Sequence, residues 1–508
     1  MDVLERQADR LYDEKKYQEA LDIYLSLVKK YPKAEKYSIY CGNCFDAIGD
    51  ETQAIRFYKK ASKLNPISNV SLLALANLYY NKEDYEHASK FAQTILKKFP
   101  DNASAKLILG NSAYCQRRYE RAFAFYEDVY QNNPKSYIAL INMANTCYDL
   151  ERYVKAVDFA LSALKLNPSS VDAYIILGNS YMELGKTEKA ELNLLKALDF
   201  RSDNPWIYNS LSRLYQKSEA WDDALNFGWK AVLFAGDAQE AQHINFGYLL
   251  YECVDEKKSD AAISYAQKWR DAFPKNKMVQ YMAAAVLEDK KTKKANEEYI
   301  QKIFDAFADD FDQTLDGLEY QVPQYIAESV QKNFKKDFWR KTKYLDLGCG
   351  TGLCAEAIKP KLGFHSAVGV DLSPKMLTKA SAKKLYDRLE NKEIIEFLFS
   401  EETVYQLITA GDVLTYFGDL RKIFEGVAKI LELGGMFVFS ISENTLNESE
   451  YTLTPSGRFV HKLDYILALL KKTGYSKVSQ ERKPLRNEGD KVVYGYIIAA
   501  EKSMIIEK

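Results

Sequence analysis

Tyr344–Gly352 reads YLDLGCGTG. An apolar run from Tyr344 to Leu347 ends in three glycines, Gly348, Gly350 and Gly352, and the helical pattern LCAEAIK follows. A buried strand that turns through bare backbone into a helix presents N–H groups and a helix N-terminus to a ligand. The loop is GCGTG rather than GxGxxG, and no Gly-Lys-Ser/Thr follows, so a nucleoside triphosphate loop is excluded. An acid, Asp371, closes the next strand 19 residues after Gly352, placed to hold ribose hydroxyls.

Around this stretch strands alternate with helices, the pattern of a doubly wound sheet. Strands are expected near Lys343–Leu347, Ala367–Asp371, Tyr405–Ala410, Met436–Ser442, Ser476–Gln480 and Val492–Ala500. A further one, poor in strand formers, is expected between Leu389 and Phe397, which makes a seven-stranded, mostly parallel sheet. Upstream, Asp289–Glu298 (DKKTKKANEE) is charged and aperiodic and reads as a linker. Residues 299–508 are then one domain and residues 1–288 another.

The first domain is a repeat with a period of 34. Ala20, Ala54, Ala88, Ala122, Ala156, Ala190 and Ala224 keep that step, as do Ala8, Gly42, Ala76, Gly110, Ala144 and Gly178, and Pro32, Pro66, Pro100, Pro134 and Pro168. Small residues let two antiparallel helices approach, and the proline ends the second helix. One pair cannot bury its apolar faces, so the pairs must stack into a solenoid. About eight repeats are expected, with Met278–Leu287 as a capping helix. Asn43, Asn77, Asn111, Asn145 and Asn179 share the same step at position 9 of the first helix. An asparagine both donates and accepts, so such a column suits a peptide backbone. It equally suits bonding between helices. Tyr80, Tyr114 and Tyr148, at position 12, would add flat surface beside it.

Composition excludes several classes. The chain has 508 residues, 47% hydrophobic and 28% charged, with a net charge of −1. That is enough for sizeable cores, without a basic footprint for nucleic acid or an anionic membrane. The Asn/Asp-Pro-Pro-aromatic signature of enzymes that methylate nucleic-acid amines is absent. No run nears the ~18 apolar residues of a membrane span, and the start, MDVLERQADRLYDEKK, lacks a secretory core, so a cytoplasmic location is expected. Seven scattered cysteines read as free thiols. Cys41-Gly-Asn-Cys44 has no second pair, and no metal site is expected.

The repeat unit resembles the tetratricopeptide repeat, whose first helices line a concave groove. The asparagine column is similar to that of the O-linked N-acetylglucosamine transferase superhelix, which implies a protein or peptide partner. The motifs YLDLGCGTGLCAEAI, AVGVDLSPKMLTKA, GDVLTYFGDL and ILELGGMFVFSIS resemble, in order, those of class I S-adenosylmethionine-dependent methyltransferases, with their Rossmann-like α/β fold. FDQTLDGLEYQVPQYIAESV and LTPSGRFVHKLDYILALLKKTGY resemble a narrower group, predicted methyltransferases with N-terminal tetratricopeptide repeats. The resemblance implies that Gly348, Cys349, Gly350 and Gly352 let the methionine part of S-adenosylmethionine approach the backbone. Asp346 would orient the loop or reach the amino group. Asp371 would take the ribose hydroxyls, Leu372 and Met376 would flank the adenine, and Glu393 would face its amine.

Methyl transfer is an in-line displacement, and an acceptor that must lose a proton benefits from a base. Asp412 and Tyr416 follow the fourth strand, where this fold presents substrate. His461 is the candidate base and Arg458 a candidate carboxylate holder. Phe304, Phe307 and Phe311 have helical spacing and either form a lid or pack on the sheet. Three functions follow: methylation of a captured polypeptide on nitrogen or oxygen, methylation of a small molecule with the repeats used for assembly, or a non-catalytic scaffold.

Overall fold

The computed structural model describes residues 3–66, 68–255, 259–334, 342–488 and 491–503. It divides into two compact units, Met1–Glu219 and Ala220–Lys508.

The first unit is a run of antiparallel helix pairs, such as Ala103–Cys115 with Tyr119–Asn132 and Tyr137–Asp149 with Tyr153–Leu166. Asn and Ser side chains start the first helices: Asn102 accepts the Ala105 N–H at 2.9 Å and Ser170 accepts that of Ala173 at 3.1 Å. The position-20 alanines from Ala20 to Ala190 are fully buried where the helices cross. Position 15 turns the chain between the helices in left-handed backbone every time: Lys15, Gly49, Glu83, Arg117, Glu151, Gly185 and Glu219 have φ between 56° and 89°. The turn closes as a Schellman motif, with the Arg152 N–H on the Cys147 carbonyl at 2.8 Å and that of Glu151 on Tyr148 at 2.9 Å. Five of these seven positions therefore carry a side chain where glycine fits best.

In the second unit helices Trp221–Ala235, Glu240–Asp255, Ser259–Ala272 and Lys277–Val286 come first, then Glu297–Phe307, Phe311–Gly317 and Val322–Asn333. Its strands are β1 Lys343–Leu347, β2 Ser366–Asp371, β3 Arg388–Asn391, β4 Tyr405–Ala410, β5 Leu431–Ser442, β6 Tyr451–Leu453, β7 Phe459–His461, β8 Tyr475–Glu488 and β9 Lys491–Lys502. Seven of them form one sheet in the order β3-β2-β1-β4-β5-β9-β8, while β6 and β7 form a separate hairpin. Strands β1 to β5 pair in parallel, and β9 and β8 continue antiparallel. Side chains alternate between two cores. Leu345, Leu347, Ile408, Phe437 and Phe439 face Phe424, Val427 and Ile466. Tyr344, Leu407 and Val438 face Val322, Ile326, Val330 and Ile358. Both faces are covered, so the strands are apolar throughout, as parallel sheets require.

Strand β3 is short and precedes most of the stretch expected to hold it. Ile394–Ser400 is a helix whose Ile394, Phe397 and Leu398 are buried in the first core, because Glu393 caps it by accepting the Glu396 N–H at 2.9 Å. Residues 293–295 are tied to the sheet domain: Gly418 N–H donates to the Lys293 carbonyl and Ala295 N–H to that of Tyr416, both at 2.8 Å. The Tyr281 hydroxyl donates to the Gly457 carbonyl at 2.6 Å. No helix among the described residues is long and apolar enough to cross a membrane.

Replacing Glu151, whose φ is 56°, by glycine relieves left-handed strain. After the unfolded-state entropy that glycine adds, Glu151→Gly is expected to stabilise by about 0.5–1 kcal/mol. Thermal denaturation then shows Tm raised by roughly 1–3 °C; an unchanged or lower Tm contradicts the strain argument.

Candidate functional site

Ligands of doubly wound sheets bind at the carboxyl ends of the strands where the order reverses, here between β1 and β4. A cavity opens there, lined by the loop after β1, the ends of β2 and β4, and helices Glu297–Phe307 and Phe311–Gly317. Gly348 and Gly350 have φ of 65° and 53°. A Cβ on Gly348 would lie 2.4 Å from the Val413 side chain, so the loop is packed against the end of β4. Above Gly350 a Cβ would meet nothing nearer than the Phe311 ring at 3.9 Å.

Asp371 ends β2 and closes the loop. Its carboxylate accepts the Gly350 N–H at 2.8 Å on one oxygen and the Ser373 N–H at 2.9 Å on the other. Burial raises its pKa, and these two donors oppose the shift. Asp371 lines the cavity, and its oxygens retain acceptor capacity there. Glu393, at the end of β3, uses Oε2 as the helix cap. Its Oε1 is buried and pairs with Lys294 Nζ at 3.0 Å.

Phe304 and Phe311 line the cavity, their rings 6.0 Å apart, and Phe304 meets Tyr416 edge-on at 5.7 Å. The helices that carry them are stapled over the loop by their own carboxylates. Asp305 accepts from Ser373 Oγ at 2.5 Å, Asp312 from Thr351 Oγ1 at 2.5 Å, and Lys383 lies 3.0 Å from Asp312. These aromatics therefore form a roof over the loop rather than packing on the sheet, and Phe307 is exposed.

The opposite end of the cavity is charged but balanced. Arg486, 5% exposed, reaches Asp412 Oδ1 at 2.9 Å through Nη1 and Glu488 Oε1 at 2.9 and 2.8 Å through Nε and Nη2. Arg458 donates to the same Glu488 oxygen at 2.6 Å. Asp412 sits in left-handed backbone, φ 52°, with its N–H on Ser440 Oγ at 2.8 Å. A non-glycine residue held there at the rim of a cavity marks a position fixed by its surroundings.

A methyltransferase-domain model matches residues 345–437, and tetratricopeptide-repeat models match residues 2–34, 73–137 and 178–218. The chain joins tetratricopeptide repeats to a methyltransferase domain. It is 27% identical over 148 residues to malonyl-acyl-carrier-protein O-methyltransferase 1 of Ilyobacter polytropus, which covers 28% of this chain and 54% of that protein. It is 36% identical over 86 residues to human methyltransferase-like protein 27, 17% of this chain and 34% of that protein. The chain thus spans about half the length, or less, of these curated relatives. Among solved structures, magnesium protoporphyrin IX methyltransferase from Synechocystis PCC 6803 with bound SAM is 16% identical with a TM-score of 0.28, over 36% of this chain and 79% of that one.

Within the methyltransferase domain, Gly348, Cys349, Gly350, Asp371, Leu372, Glu393, Asp412, Tyr416 and Arg458, all singled out in the sequence, line the cavity. Four expected residues do not. His461 is fully buried, and Nε2 donates to the Phe417 and Gly418 carbonyls at 2.9 and 3.2 Å, so it holds that turn instead of facing substrate. Burial lowers its pKa to about 4, and Nδ1 is walled off without a partner. Met376 is fully buried under its helix. Gly352 forms the helix cap, with φ 92°. Asp346 is 1% exposed and accepts from the Tyr386 hydroxyl at 2.7 Å and from Thr409 at 2.8 Å, so it orients the loop from beneath. Arg486, Lys294 and Tyr320 line the cavity without having been singled out in the sequence.

In the tetratricopeptide repeats the asparagine column has two kinds of member. Where position 24 is tyrosine, its hydroxyl takes the amide oxygen: Tyr58 donates to Asn43 at 2.9 Å and Tyr126 to Asn111 at 2.8 Å. Beside Asn77, Asn145 and Asn179 that position is Ala92, Ala160 or Leu194, which donates nothing. Asn179 Oδ1 is buried without a partner, and Asn77 is exposed. A cleft on this face is lined by Tyr80, Asn111, Tyr114, Tyr126, Asn142 and Asn145.

Burial pushes the Asp346 pKa up to about 6 from an ordinary 3.8. The native site therefore holds a proton between these values that the unfolded chain has released. Its stabilising share is full below about pH 4 and is lost as pH rises through about 6. Thermal midpoints of the wild type and Asp346→Asn are expected to diverge in favour of the wild type as pH falls from 7 to 4. A difference that does not change with pH would contradict the raised value.

Proposed function

We propose that the chain uses S-adenosylmethionine to methylate a polypeptide that its tetratricopeptide groove captures. The cavity fits the cofactor in three places. Asp371 retains acceptor capacity for the two ribose hydroxyls, the Glu393 carboxylate on the cavity wall suits the adenine amine, and the open backbone at Gly350 suits the methionine part. When bound, the cofactor supplies an electrophilic methyl carbon on a positively charged sulfur. The chain's own residues position and exclude: Phe304 and Phe311 keep water from the cavity, and Asp412 and Tyr416 border the space left for the acceptor. The two functional parts are proposed to be residues 1–288 and 299–508, joined through 289–298.

The observation that carries the enzymatic half is a glycine-lined crevice, open above Gly350, with Asp371 at its edge. The polypeptide half rests on Asn77, Asn145 and Asn179, whose amides the hairpins do not consume through position 24. A second reading has its own support: the matched relatives from Ilyobacter polytropus and Legionella pneumophila are malonyl-acyl-carrier-protein O-methyltransferases, so a small acyl acceptor, free or on its carrier protein, with the repeats used for assembly is the competitor.

Calorimetric titration of the full chain with S-adenosylmethionine is expected to show one site, weakened at least about 100-fold in Asp371→Ala by the loss of a charge-assisted pair of hydrogen bonds. Binding unchanged by Asp371→Ala removes the enzymatic reading. With labelled cofactor and a cell lysate, the wild type should label protein, and the triple variant Asn77→Ala, Asn145→Ala, Asn179→Ala should lose that label while binding the cofactor normally. Label confined to small molecules or to an acyl-carrier protein favours the competitor.

A further inference from the structure

Among the described residues, the acceptor end of the cavity holds no group free to take a proton. His461 is sealed away with both ring nitrogens out of reach. Asp412 and Glu488 are engaged by Arg486 and Arg458. Lys294 is paired with Glu297 and Glu393. The Tyr416 and Tyr320 hydroxyls and the Cys349 and Cys354 thiols are all driven further toward their neutral forms by burial. An alcohol or an alkylammonium acceptor must shed a proton before it can attack; a carboxylate has none to shed.

Charge points the same way. Two guanidinium groups, Arg458 and Arg486, face two carboxylates, Asp412 and Glu488, so this end is neutral by itself. Bound cofactor would place a sulfonium in the same cavity. A cationic acceptor would meet that charge and two guanidiniums at short range, whereas an anion would offset it. Arg458 spends Nη1 on Glu488 and lines the cavity, and its planar guanidinium has five donors with carboxylate geometry.

Resting on the polypeptide reading above, we infer that the acceptor is a side-chain carboxylate of the captured polypeptide, held by Arg458 and methylated on oxygen. A carboxylate oxygen lone pair forms the new O–CH3 bond, and the methyl–sulfur bond breaks with its electron pair going to sulfur. The sulfonium becomes a neutral thioether and the carboxylate a neutral methyl ester; no proton moves and no further reactant is needed. Arg458 positions the acceptor, and Arg486 positions Arg458 through their shared Glu488 oxygen.

Two measurements on the full chain decide this. In the first, N-acetylglutamate amide and N-acetylglutamine amide are titrated into the protein saturated with S-adenosylhomocysteine. The acid is expected to bind at least about tenfold more tightly, the scale of one charge-assisted bidentate contact. Arg458→Gln should erase the difference and Arg458→Lys should restore part of it. Equal binding of acid and amide by the wild-type protein overturns the inference whether or not the variants fold. In the second, protein labelled from tritiated cofactor is treated with dilute alkali. Release of the label as volatile methanol is expected of a methyl ester, and an alkali-stable label overturns the inference while leaving protein methylation intact. If no protein is labelled, the polypeptide reading fails, and the acid-against-amide comparison still decides the acceptor chemistry.

Discussion

The Asp371 carboxylate ties the active edge of the sheet together. It ends β2, accepts a backbone N–H from the glycine loop after β1 and another from Ser373 at the start of the next helix, and so fixes two turns with one carboxylate. A carboxylate removed from water is tolerable only with such donors. The roof depends on the same frame: Asp305 bonds Ser373 and Asp312 bonds Thr351, so the aromatic helices are pinned to the two loops that Asp371 joins. Without that frame Gly350 would have no fixed direction in which to leave its face open.

Repeat and fold were legible because both are periodic. The alanine, small-residue and proline registers fix the helix pairs, and a glycine loop between an apolar strand and a helix fixes β1. Five of the other six sheet strands lie where alternation and β-branched residues place them. Strand β3 fits worst because RLEN has no apolar face and the apolar run after it, which looks strand-like, is a capped helix. At the site, position along the motif was readable but depth was not. Asp346, Met376 and His461 sit in the right motifs yet point into the core, since one step along a strand or helix exchanges cavity for core. Arg486 was invisible because its partner Asp412 lies 74 positions earlier in sequence. The asparagine column was plain, but its division into spent and unspent amides depends on position 24 of the opposite helix, a correlation visible only once the two helices are side by side.

At the end of the cavity away from the roof the domain sets guanidiniums against carboxylates. Arg486 bridges two carboxylates, Glu488 bridges two guanidiniums, and the resulting network has no net charge to discharge into water. Such a lattice is rigid because each member is held from two directions. It also explains how a residue in left-handed backbone, Asp412, persists at the rim: its N–H and its side chain are both held, by Ser440 and Arg486. In the carboxylate reading proposed above, such a network would select by fit and charge and leave proton chemistry to the ligand.

The bond from the Tyr281 hydroxyl to the Gly457 carbonyl, next in sequence to Arg458, ties helix Lys277–Val286 to the cavity wall. The Tyr281 ring also packs on Tyr299 at the start of the roof. A substitution in that helix, more than sixty positions before the glycine loop, is therefore felt at Arg458 and at the roof together.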